Sequence, residues 1–328
     1  QQAIKEPVPP DWCYVNNFAD PHKPHRLMLP AGRGRPLKEA MEHLVADLQI
    51  ALPAAFERDD YRARRDVLEQ EFKKRTEDAF AVLQRRAEQK HITLIRTPVG
   101  LALAPTDNGE VISPDVFRRM AEADRKRIGE DMEELQKELE VIVRQIPDWE
   151  REHREAMRQL NRSVTAQTVS RPLSELRKAY ADLSEILTYL DAVEDDIVEN
   201  ADDFMAPARA AADGEHTPPM AELLREMPTF RRYQINVMVD NSETKGAPIV
   251  VEDHPTHQAL IGRIEHLARF GALTTDFNLI VPGVLHRANG GYLVLDGERL
   301  VTSPFSWESL KRALRAGATS FFIASRSA

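Results

Sequence analysis

From residue 57 to residue 204 the chain is dense in charge, and its apolar residues recur at helical spacing. Tyr61, Leu68, Phe72, Ala79, Leu83 and Ala87 fall three, four or seven apart. Ile128, Met132, Leu135, Leu139, Ile142 and Ile146 alternate by four and three, which is a heptad seam. A weaker seam follows through Trp149, Met157, Leu160 and Val164, and another through Leu173, Leu176, Tyr180, Leu183, Leu187, Leu190 and Ile197. Each stripe is too narrow to be a core helix by itself, so each must bury against another. The tract therefore reads as an antiparallel coiled-coil lobe over 57–204. ITLIR (92–96) and LALAP (101–105) add a small hairpin, Ser113 is placed to cap a helix starting at Pro114, and Pro147 should break or kink the second seam.

The 328 residues suffice for about two domains, and 42% hydrophobic content supports a real core. Charged residues at 30% and aromatics at 6% favour solvated helices, and a net charge of −9 opposes nucleic acid or anionic lipid as a general partner. Cys13 is the sole cysteine, which excludes an intrachain disulfide and a multi-cysteine zinc site and fits a reducing, cytoplasmic setting. No run approaches the roughly 18 apolar residues of a membrane span. QQAIKEPVPP has no apolar core of a signal peptide, and the absence of an initial methionine suggests a fragment or a processed form.

The flanks of the helical tract read as α/β. DWCYVNNF (11–18) is strand-like, Leu27-Met28-Leu29 a short strand, and Leu37 to Ile50 a helix with Pro53 just beyond it. Residues 206–219 read as a linker. Then YQINVMVD (233–240), APIVVE (247–252), FNLIV (277–281) and YLVLD (292–296) read as strands. Thr256 to Phe270 reads as a helix ended by Gly271, and 305–317 as a helix ended by Gly317. The segments imply an α/β domain in two parts, 1–56 and 220–317, split by the helical insertion, with a linker at 205–219 and an atypical tail at 318–328.

The chemistry concentrates on Asp296. A buried parallel strand, Tyr292 to Leu295, would deliver this carboxylate to the carboxyl edge of a sheet, where open α/β folds bind ligands. In nucleotide-hydrolysing proteins such an aspartate holds magnesium through water. The plain alternative is a strand ending on a turn-forming Asp-Gly.

HRANGGYLVLD (286–296) resembles the Walker B region of Lon-like AAA+ proteases. LPAGRGRPL, LIRTPVGLALAP, QIPDWERE, YLDAVEDDIVEN, FRRYQINVMVDNS and GRIEH resemble, in order, the LonB-related subgroup that carries a coiled-coil insertion. The resemblance implies a partial AAA+ module with a P-loop-type parallel sheet. In a full-length parent it implies ATP and magnesium, a homo-oligomeric ring (a hexamer), unfolding of protein substrates and a serine protease domain. Asp296 would be the magnesium residue, with His286 and Arg287 near the nucleotide or a neighbouring subunit.

Two departures stand out. No GxxxxGK[ST] occurs, and AGRGRP (31–36), the nearest glycine-rich loop, lacks the lysine and the hydroxyl; Arg33 and Arg35 there could meet an anion, cap a loop or face solvent. The chain reads as starting inside the helix that should follow the phosphate loop. Gly297 stands where the family pattern has a glutamate, and Glu298 would point to the opposite side of a continuing strand. By itself the chain is then expected to be neither ATPase nor protease, with weak nucleotide binding or none. A non-catalytic coiled-coil scaffold or adaptor is the alternative, with the acidic run 185–203 as a docking surface or a solvated face. A DNA-directed AAA+ motor is opposed by the acidic balance. The HxxH pairs His22/His25 and His254/His257 lie in proline-containing loops and lack a third metal ligand.

Overall fold

The computed structural model of the protein describes residues 2–97, 100–107, 110–205, 228–269 and 272–316. The architecture is mixed α/β, mostly helical with small sheets. It divides into two compact units, one of residues 1–55 and 165–328, the other of 56–164. The linker reading of 206–219, Gly317 and the tail 318–328 lie outside the described residues.

In the first unit, β1 (Asp11–Val15) pairs antiparallel with β2 (His25–Leu29) on one side and with β6 (Asn236–Val239) on the other. One face alternates inward: Cys13, Val15, Leu27 and Leu29 are buried. They meet α1 (Gly34–Glu57), whose Leu37, Met41, Leu44, Leu48 and Leu52 recur at three and four and form its buried stripe. Pro53, expected beyond this helix, lies inside it. Leu52 before it and Ala55 after it carry the buried stripe across it, so packing offsets the lost backbone bond. Val169, Leu173, Tyr180, Ile186, Tyr189, Leu190, Val193 and Ile197 complete this core, so residues 165–205 of the helical tract pack here with the strands.

The second unit holds α2 (Asp59–Gln89) and α4 (Glu122–Ala179) as far as Val164, with β3 (Ile92–Thr97), β4 (Gly100–Asp107), β5 (Glu110–Val111) and α3 (Pro114–Arg119) between them. As numbers rise along α2 from Tyr61 through Arg75 to Arg86, their partners fall along α4 from Asn161 through Glu152 to Glu138, so the helices run antiparallel. Leu83, Ala87, Ile92, Leu103, Leu135 and Leu139 form their shared core. Arg75 lies over the Trp149 ring at 4.9 Å, and Phe72 stacks on His153. The hairpin pairs Ile92 with Pro105 through Thr97 with Gly100, and the Ser113 side chain accepts from the Val116 amide as a helix cap. Pro147 does not break α4, which runs through it. Leu139 before it and Trp149 after it are both buried, and burial on either side outweighs one missing amide.

Among the described residues, those from 228 to 316 are less regular than their periodicity. α6 (Pro228–Arg231) precedes β6, and α7 (His257–Ile261) is a single short helix rather than a helix to Phe270. It ends because Gly262 has φ +97°, a conformation that only glycine holds easily. Beyond it come β8 (Gly262–Ile264), β9 (Leu267–Arg269) and β10 (Ala272–Thr274). β11 (Ile280–Pro282) pairs antiparallel with β8, while Phe277–Leu279 is a 3-10 turn rather than the start of a strand. The expected single parallel sheet is absent among the described residues. β7 (Ile249–Glu252) and β12 (Tyr292–Leu295) form the one parallel pair there. No described helix is long and apolar enough to cross a membrane.

Candidate functional site

The parallel pair runs in register, Tyr292 beside Ile249 and Leu295 beside Glu252. Its entry is tight. A Cβ on Gly291 would lie 2.2 Å from the Pro248 carbonyl oxygen, and Gly290, at φ +73°, faces Pro9. The glycine pair thus lets β12 approach the 248 backbone, after which the Tyr292 amide bonds the Pro248 carbonyl at 2.8 Å. The strand is not buried as expected. Leu293 and Leu295 turn inward toward Leu260, Val284, Leu300 and Leu310, while Tyr292 and Val294 are exposed. Two strands alone leave one face open.

Asp296 follows at the carboxyl edge of this pair. The strand ends there, and Asp296 caps α9 (Gly297–Thr302), its Oδ1 accepting from the Arg299 amide at 3.1 Å. Oδ2 lies 3.5 Å from Arg299 Nε, and the same guanidinium donates to the Asp253 carbonyl at 3.0 Å. The carboxylate is 38% exposed, so lone pairs remain accessible. Gly297 opens α9, and a Cβ there would meet nothing within 4 Å; packing does not demand glycine. Glu298 lies in the first turn of the helix and not on a continuing strand.

His286 and Arg287 form the second half of α8 (Val284–Arg287). The Gly283 amide donates to His286 Nδ1 at 3.3 Å, and burial holds this imidazole below its usual range. Arg287 is exposed.

AGRGRP does connect a strand to a helix, but its electrostatics face inward. The Gly34 amide at the start of α1 donates to Asp11 Oδ2 at 2.8 Å, and Asp11 Oδ1 accepts from the Asn241 amide, also at 2.8 Å. Asp11 is fully buried. It occupies the helix N-terminus where an anion would otherwise sit. Arg33 donates to the Ala179 carbonyl and to Asp182, both at 2.6 Å, and lies over the Tyr180 ring at 4.6 Å. Arg35 pairs with Asp240 at 3.2 Å. Arg33 therefore serves the fold as the cap of α4, while Arg35, 64% exposed, makes a surface pair. Burial, with the Asp11 and Asp240 charges added, pushes the nearby Cys13 thiol up to about 12, so it is inert as a nucleophile.

The acidic run is only partly a solvated face. On α5 (Ser184–Glu199), Asp191 and Glu194 both take Arg177 Nη2 at 2.6 Å. Arg232 pairs with Asp196 at 2.7 Å and Asp203 at 2.9 Å, and the Tyr233 hydroxyl donates to Asp196 at 2.6 Å. Arg177, Arg232 and Asp11 were not singled out by sequence reasoning, because their partners are distant in the chain. No metal-ligating group of three or more His, Cys, Asp or Glu occurs among the described residues.

Magnesium-bound nucleotide can be tested against these residues. They offer one partly free carboxylate at a strand end, while the glycine-rich loop turns its arginines and its helix start to protein partners. The described residues do not fit a complete nucleotide site.

Two family models match the chain: one described as LonB-like, AAA domain, over residues 245–325, and one described as Lon-like LonC helical domain, over residues 11–44. The first contains β7, β12, Asp296 and the glycine pair; the second spans the β1–β2 hairpin and the start of α1. No curated protein matches. These two segments are what is similar to Lon-like proteins, and together they cover less than half of the chain.

Proposed function

We propose that the chain is part of the AAA+ module of a Lon-like ATP-dependent serine protease, in which nucleotide binding within a homo-oligomeric, hexameric ring drives unfolding and threading of protein substrates in the cytoplasm. The observation that carries this reading is the parallel β7–β12 pair with Asp296 at its carboxyl edge, inside the segment similar to a LonB-like AAA domain. In the full-length parent, Asp296 is the residue we assign to magnesium, with Arg287 available to phosphate or to a neighbouring subunit.

The described residues form no anion cradle, and the sequence holds no GxxxxGK[ST], so we expect this chain alone neither to hydrolyse ATP nor to cleave peptides. Calorimetry with magnesium-ATP tests this: binding weaker than about 1 mM is expected, at or below about 4 kcal/mol of affinity. Micromolar binding would overturn it. The alternative, a scaffold on a degenerate ATPase fold, draws on the inward use of Arg33 and Asp11. A longer chain carrying an upstream GxxxxGK[ST] and showing magnesium-ATP hydrolysis sensitive to Asp296→Ala would decide against it.

A further inference from the structure

The glycine pair that lets β12 approach the 248 backbone follows an asparagine. Asn289-Gly290 lies between α8 and β12, and both residues are exposed. The Gly291 amide donates to the Ala288 carbonyl at 2.9 Å across them, and Gly290 has φ +73°, the sign a type II turn needs at its third residue. Among the described residues the Gly290 amide has no acceptor and the Asn289 carboxamide no partner. A side-chain electrophile thus stands next to a free main-chain nitrogen, on a residue with no Cβ to hinder it.

Asn241-Ser242 is the contrast within the same chain. There the Ser242 amide donates to Asp240 Oδ1 at 2.9 Å. The Asn241 carboxamide donates to the Pro10 carbonyl at 3.0 Å, and its oxygen accepts from the Thr244 hydroxyl at 3.2 Å. Asn241 is also buried. Nucleophile and electrophile are both tied, and releasing three hydrogen bonds slows any reaction between them by about a hundredfold.

We propose that Asn289-Gly290 is a site of spontaneous deamidation in the folded chain, and that its isoaspartyl product unlocks β12. The Gly290 amide gives its proton to a solvent base. Its nitrogen then bonds the Asn289 Cγ, the carboxamide C–N bond breaks, and ammonia leaves with a proton returned from solvent. The product is a five-membered imide, which water opens at either carbonyl. One opening gives aspartate, which adds a charge at an exposed position and leaves the main chain as it was. The other gives isoaspartate, whose main chain runs through Cβ and Cγ and is one atom longer. That atom enters directly before Gly291, where space is short: a Cβ on Gly291 would lie 2.2 Å from the Pro248 carbonyl oxygen, and one on Gly290 would lie 2.8 Å from Pro9 Cβ. The longer chain therefore breaks the Tyr292–Pro248 bond and the register that begins there, Tyr292 beside Ile249. The proposal does not depend on the assignment of Asp296 or on the chain's role in a protease.

Ageing the full chain at 37 °C and pH 8 in heavy-oxygen water tests it, once native and once unfolded in urea. The tryptic peptide 288–299 holds no other asparagine, so exchange of its amide nitrogen for heavy oxygen reports residue 289. Fragmentation separates that label from any at Asp296. Conversion at 289 in the native chain should run within about tenfold of its rate in urea, whereas Asn241 should slow by about a hundredfold on folding. Slowing at 289 as great as at 241 would overturn the proposal. Hydrogen exchange on the aged protein reads the consequence, because the two product peptides separate by chromatography. The isoaspartyl form should lose protection at amides 292–295 by about tenfold, while the aspartyl form and an equally aged Asn289→Gln chain keep it. Native protection in the isoaspartyl form, or equal loss in the aspartyl form, would overturn the claim that main-chain length unlocks the strand.

Discussion

Two carboxylates cap helix N-termini at the ends of strands, and they do so in opposite ways. Asp11, at the start of β1, has no exposure and joins three segments, accepting from Gly34 of α1 and from Asn241. Asp296, at the end of β12, is partly exposed and accepts from Arg299, three residues on. The first is consumed by the fold. The second is held locally and keeps lone pairs toward solvent. A carboxylate held by distant backbone amides is structural; one held by its own helix can still serve a ligand.

The comparison breaks most visibly at Asp11. Asp11→Ala leaves two buried amides without acceptors, each costing about 1–3 kcal/mol, while relief of a buried charge offsets part of that. We expect a net loss of about 3 kcal/mol, with faster hydrogen exchange at Gly34 and Asn241 and new reactivity of Cys13 toward thiol reagents. Asp11→Asn, which retains one acceptor oxygen, should fall between. Native exchange rates in Asp11→Ala would show that water replaces the carboxylate and that this cap is no more structural than the other.

Arg33 tests whether the loop before α1 is turned inward. Arg33→Lys keeps the charge but loses the fork that reaches both the Ala179 carbonyl and Asp182, together with the flat stacking on Tyr180. A loss of about 1–2 kcal/mol is expected in denaturant melts read at the first unit. If lysine is neutral there, the arginine is free to meet an anion after all.

A third cap titrates. His286 Nδ1 accepts from the Gly283 amide, and burial depresses its pKa from 6.5. A depressed value means that the unfolded chain binds the proton first. The contribution is therefore full above about pH 6.5 and is lost as pH falls through the lower folded value. Protection of amides 283–288 should decline from pH 7 to pH 5, and His286→Asn, which retains an acceptor but not the titration, should flatten that decline. Parallel declines in both proteins would assign the effect to neighbouring carboxylates.

Local signals sufficed for single elements. The stripe in α2, the hairpin and the Ser113 cap each depend on residues within a few positions. What failed depended on distance. Thr256 to Phe270 has helical spacing, yet Gly262 sits where Gly283 comes close: a Cβ on Gly283 would lie 2.4 Å from the Gly262 nitrogen. That glycine was readable as a helix stop, but its partner was not. The acidic run looked solvated because Arg177 and Arg232 lie outside it. Asp296 drew attention through its strand and its glycines, whereas Asp11 had no local mark and the inward turn of Arg33 could not be seen without Ala179 and Asp182.

Asp296 is expected to show the smallest structural effect, and that is the point of the comparison. Asp296→Ala removes one exposed cap and an ion pair to Arg299, worth about 1 kcal/mol together. Asp296→Asn keeps the cap oxygen and should cost less than half of that. Exchange at the Arg299 and Leu300 amides reads the difference, while β1 and α1 stay native. If Asp296→Ala instead unfolds the β7–β12 pair, the carboxylate is as deeply structural as Asp11, and its assignment to magnesium in a longer chain loses its physical basis. A small loss confined to α9 leaves a carboxylate that the fold can spare, which is what a ligand-binding role at a strand end requires.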